Sequence, residues 1–114
     1  MENYLLLLHE SAIPPDMSPE EMQAIVARYK AWGQRLAAAG RIAGSNKLED
    51  GTGRVLRGKG GELRITDGPF AETKDVVAGY FLILADSYED AVECSKDCPH
   101  LDFGTIEIRR IQVV

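Results

Sequence analysis

Two histidines, His9 and His100, are the side chains of this sequence best suited to proton transfer near neutral pH, because imidazole alone titrates unperturbed between about pH 5 and 8. His9 follows an apolar run, and Asp67 closes a second β-type segment. An imidazole whose tautomer is held by a carboxylate works as a general base, which makes His9 and Asp67 the candidate catalytic pair. Asp67 also has a reading that needs no function, since before Gly68-Pro69 its carboxylate can bond its own backbone two positions on. With Glu72 nearby, Asp67 can instead line a pocket walled by Phe70 and Tyr80. Phe70, Glu72 and Tyr80 are therefore the candidate ligand-binding residues, although both rings suit a core better than a pocket wall.

Other spacings come close to known chemistry and fall short. Gly53-Arg54-Val55-Leu56-Arg57-Gly58-Lys59 has the spacing of a phosphate loop. Gly60 stands where a magnesium-binding hydroxyl is needed, and a β-type sequence follows where a helix is required. Arg54, Arg57, Lys59 and Arg64 nevertheless crowd one segment, a surface that could meet an anionic partner. Cys94, Cys98 and His100 resemble a metal trio without a fourth ligand, so no metal or cofactor is expected and both cysteines read as small buried hydrophobes.

Composition narrows the field further. The 114 residues carry a formal charge of −5, with 45% hydrophobic and 27% charged side chains, which describes a single globular domain over residues 1–114. The acidic balance argues against nucleic acid as a partner. Leu5 to Leu8 is far shorter than the ~20 residues of a membrane span and lacks a cationic leader, so neither membrane nor export is expected. Cys94 and Cys98 are then expected to be reduced, in the cytoplasm.

The elements that must position these residues follow from periodicity. Tyr4 to Leu8 reads as a strand, and Pro14-Pro15 as part of a loop. Ser18, Pro19 and Glu21 form a helix start of the capping-box type. Met22, Ile25, Val26, Tyr29, Trp32, Gly33 and Leu36 recur at helical spacing until Gly40. Arg41 to Leu48 predicts a second strand, and Arg54 to Arg57 with Glu62 to Thr66 a hairpin in which Asp67 shares an inward face with Leu63 and Ile65. Gly79 to Ala85 predicts a central strand. Ser87 caps a second helix with a stripe of Tyr88, Ala91, Val92, Ser95 and Cys98, stopped by Pro99. Thr105 to Val113 predicts a last strand, with a bulge or its end near Arg109-Arg110.

This order predicts an α+β, ferredoxin-like β-α-β-β-α-β domain with an extra hairpin. Both helices then cover one face of the sheet, while the first and central strands are apolar at successive positions, as strands buried on both faces are. Leaving the second face in water would forfeit several kcal/mol at roughly 25 cal/mol per Å². A homodimer in which two such sheets pack face to face is the expectation.

Asp67-Gly68-Pro69-Phe70-Ala71-Glu72-Thr73-Lys74, followed by Gly79-Tyr80-Phe81-Leu82-Ile83, resembles the DGPF segment of the YCII-related proteins. Pro19-Glu20-Glu21-Met22-Gln23 and Cys98-Pro99-His100-Leu101 are similar to one branch of that group. The resemblance implies a dimeric α+β barrel of ferredoxin-like subunits that binds a small molecule. It also implies two alternatives: a lyase or isomerase moving protons on a small oxygenated compound through a histidine and an aspartate, or a module linked to sigma-factor regulation. The parent branch carries its histidine on the first helix, where this chain has none, so the pair falls to His9 or His100 with Asp67.

Overall fold

In the computed structural model, which describes residues 1–10, 16–68 and 76–114, the helix start marked by Ser18 is formed as its spacing predicts. The Ser18 hydroxyl accepts from the Glu21 amide at 3.1 Å, and the Glu21 carboxylate reaches back to the Ser18 amide. The elements run β1 (Glu2–Glu10), α1 (Pro19–Ala38), β2 (Ile42–Lys47), β3 (Arg54–Arg57), β4 (Arg64–Asp67), β5 (Val76–Ala85), α2 (Tyr88–Ser95) and β6 (Gly104–Arg110). Single 3₁₀ turns occupy Gly60–Glu62 and Pro99–Asp102.

Four strands make an antiparallel sheet in the order β2-β5-β1-β6. With the β3–β4 hairpin set aside, this is the ferredoxin-like arrangement. Strand alternation sends Tyr4, Leu6 and Leu8 to one face, with Phe81, Ile83, Ile106 and Ile108 registered beside them. Both helices cover that face: the Trp32 ring meets Phe81 edge-on at 4.8 Å, and Tyr88 meets Tyr4 at 5.1 Å. Trp32, Ala91 and Cys98 complete the core. Leu5, Leu7, Leu82 and Leu84 alternate to the opposite face and are only half-buried within one chain.

Three expectations are corrected. The stripe on α2 narrows to Ala91 and Ser95, because the helix is two turns long and ends before Cys98; Tyr88 and Val92 are exposed. The second arm of the hairpin begins at Arg64 rather than Glu62. Gly58 and Gly60 adopt φ of 75° and 59°, which folds the connection into a 3₁₀ turn first; a Cβ at Gly58 would stand 2.6 Å from the Glu62 carbonyl oxygen. Asp67 does not turn inward. Among the described residues the strands of the hairpin pair only with each other, Asp67 sits opposite Arg54, and its side chain is 93% exposed. The projecting arm helps raise the radius of gyration to 16.2 Å, above the about 13 Å of a compact domain near this size. The last strand ends at Arg110, where its apolar positions change phase.

Candidate functional site

Helix α1 touches the sheet with only part of its length. Trp32 is 1% exposed, whereas Met22 and Val26, toward the N-terminus on the same stripe, remain 43% and 46% exposed. Beneath that raised half lies a cleft of about 300 Å³. Met22, Ile25, Val26 and Tyr29 line it from the helix, and Leu8, Gly79 and Phe81 from the sheet; Phe103 and His100 also border it. Gly79 is a requirement of the floor, since a Cβ there would approach the Asn46 carbonyl oxygen to 2.8 Å. Charged side chains, Glu10, Lys30, Lys47 and Asp50, also border the cleft, with Lys47 and Asp50 paired at 3.0 Å.

On the border of this cleft Tyr29 and His100 form a hydrogen-bonded pair. Tyr29 Oη and His100 Nδ1 stand 2.9 Å apart, and His100 Nε2 lies 2.8 Å from the His9 carbonyl oxygen. A carbonyl only accepts, so Nε2 carries the hydrogen. In the neutral ring Nδ1 is then the acceptor, and the Tyr29 hydroxyl donates to it. His100 is 1% exposed and has both ring nitrogens bonded, as burial demands. Burial pushes the Tyr29 phenol well above its ordinary range, with the neighbouring Cys98 and Glu10 adding to the effect. Gly104 allows the anchor to exist: a Cβ there would lie 1.8 Å from the His9 oxygen and 3.1 Å from His100 Nε2.

The candidate pair His9 and Asp67 is not joined by any hydrogen bond or ion pair among the described residues. The His9 ring lies 3.0 Å from Glu107, on the sheet face away from the helices, and Asp67 lies 3.5 Å from Arg54 on the arm. Strand alternation sends the His9 ring to the face away from the helices, while its backbone carbonyl accepts from His100 Nε2. Tyr80 is among the residues bordering the cleft and its hydroxyl accepts from Asn46 at 2.8 Å. Phe70 and Glu72 lie outside the described residues. Cys98 is buried in the core, and burial raises its thiol to about 11, which removes it as a thiolate nucleophile. No group of three or more His, Cys, Asp or Glu among the described residues is placed to hold a metal ion, and none of the described helices is long and apolar enough to cross a membrane.

Tyr29 and His100 escaped the sequence reading as a pair. Periodicity makes Tyr29 one more apolar-stripe position, and His100 enters only through the Cys94 and Cys98 spacing and as the alternative to His9 beside Asp67. The signal that could have found them is chemical: a stripe tyrosine needs a partner for its hydroxyl, and a histidine set beside a buried Cys-Pro needs two.

Fold and cleft together define a ferredoxin-like α+β domain with a cavity of ligand size between its first helix and its sheet. The chain belongs to the YCII-related family, whose domain matches residues 4–114. A curated relative, an uncharacterized protein of Rhizobium meliloti (strain 1021), is 28% identical over 108 residues, covering 92% of this chain and 87% of the relative. Among solved structures, the 5-chloro-2-hydroxyhydroquinone dehydrochlorinase of Burkholderia phenoliruptrix AC1100, in complex with 2,5-dihydroxybenzoquinone, is similar with a TM-score of 0.52. The match covers 96% of this chain and 93% of that one at 16% identity, a likeness of fold.

Proposed function

We propose that the chain binds a small ring compound bearing oxygen substituents in the cleft under α1. The observation that carries this reading is the cleft itself: apolar walls of about 300 Å³ with Tyr29 and His100 as a hydrogen-bonded polar pair on its border. Ligand sites generally join a concave apolar surface to a few placed polar groups, and this volume lies at the small end of their range. The structural neighbour's bound dihydroxybenzoquinone is a ring of suitable size and chemistry. A proton-transfer role for His9 with Asp67 has less support, since each already has another partner.

Trp32 is the sole tryptophan and packs on Phe81, a wall of the cleft. Titration with hydroquinone or catechol is therefore expected to change its emission saturably, and Val26→Phe, which pushes a ring into the cleft from the exposed half of α1, to abolish the change. An unsaturable response, or equal affinity in the variant, would exclude the cleft as the site.

We further propose that a second copy covers the face carrying Leu5, Leu7, Leu82 and Leu84, forming a dimeric barrel. Burying these half-exposed leucines contributes several kcal/mol at roughly 25 cal/mol per Å². Sedimentation at low micromolar concentration is expected to find the dimer; a folded monomer there would refute it.

A further inference from the structure

We infer that Tyr29 and His100 act together as a proton acceptor, so that the cleft takes weakly acidic phenols and enols and holds them as their anions. This rests on the cleft being the ligand site. The argument starts from the hydrogen-bond directions. His100 Nε2–H is committed to the His9 carbonyl, and the Tyr29 hydrogen is committed to His100 Nδ1. What Tyr29 has left for a ligand is therefore lone pairs, so the group that meets it must be a donor: a hydroxyl rather than a carbonyl.

Such a hydroxyl completes a chain along which a proton can move. The ligand's O–H bond breaks as its proton passes to the Tyr29 oxygen, the Tyr29 proton passes to Nδ1, and an Nδ1–H bond forms. The products are a ligand oxyanion and an imidazolium, with no net change of charge and no other reactant. Tyr29 then donates to the oxyanion, and the Nδ1–H donates to Tyr29. The hydrogen on Nε2 never leaves the His9 carbonyl.

The surroundings favour this end point over a tyrosinate. Burial, Cys98, Glu10 and Asp102 all hold the proton on the Tyr29 phenol, against a smaller opposing effect of Arg28. Burial makes the new ion pair costly, and its charge-assisted hydrogen bonds, Nε2–H to the His9 carbonyl, Nδ1–H to Tyr29 and Tyr29 to the oxyanion, offset that cost.

The test uses 3-nitrophenol near neutral pH, where the free probe is neutral and its phenolate has a distinct absorption band. Wild-type protein is expected to bind it with the phenolate band, and with a binding heat independent of the buffer's ionisation enthalpy, because the proton stays within the complex. Tyr29→Phe, which keeps the ring, and His100→Gln, which keeps a donor for the His9 carbonyl, are expected to bind the neutral phenol roughly tenfold more weakly. Binding of the neutral phenol by wild-type protein would overturn the inference while leaving the cleft as the ligand site. A phenolate band that persists in Tyr29→Phe would overturn it equally, and absence of binding would overturn both.

Discussion

The two halves of helix α1 share one apolar stripe and have opposite fates. The C-terminal half is closed: Trp32 is buried, its indole N–H donates to Asp97 at 3.1 Å, and Leu36 packs against the core. The chain leaving it is also pinned, with the Arg41 amide bonded to the Leu36 carbonyl and its guanidinium to Asp90 at 2.5 Å. The N-terminal half holds Met22 and Val26 over a cleft whose sheet side is lined by Leu8, Gly79 and Phe81. A hydrophobic stripe thus reports which side of a helix faces inward, and the partner surface decides whether that side becomes core or pocket wall.

The largest way to break this contrast is Trp32→Ala. It should cost about 3–5 kcal/mol, the usual penalty for deleting a buried aromatic, whereas Met22→Ala should stay within about 0.5 kcal/mol. Urea unfolding followed by circular dichroism measures both, and comparable losses would show that the open half bears structural load. A smaller effect comes from acid. The Asp86 amide, and then the Arg41 side chain, hold the Asp90 carboxyl below its ordinary range. A carboxyl depressed in the folded state contributes stability that is complete above its unfolded pKa of about 3.9 and is lost as pH falls through its lower folded value. Asp90→Asn should therefore flatten the acid limb of the stability profile below about pH 4 and leave ligand affinity unchanged. An acid limb identical to wild type would remove this ion pair from the account of the packed half.

Much of the fold was legible because its signals are local. The capping box at Ser18, the stop near Gly40, the hairpin glycines and the end of the last strand at Arg110 depend on residues a few positions apart. The α2 stripe was overestimated because a short helix makes periodicity a weak guide to depth, and Asp67 was turned inward by an alternation that has no core to point to on a projecting arm. The candidate site was legible in kind rather than in membership. Histidine is the chemistry the residue types predict, but the strand-end position points to His9, whose ring alternates to the face away from the cleft.

Residue order alone determined the elements, their sequence, and the twofold apolar character of the central strands, because caps, periods and turns are settled within a few bonds of each residue. Tertiary structure alone brought Tyr29 against His100, 71 positions along the chain, and left room beside them. That pairing depends on how α1 and the 3₁₀ turn at Pro99–Asp102 pack against one another and the sheet, which no residue's neighbours along the chain settle.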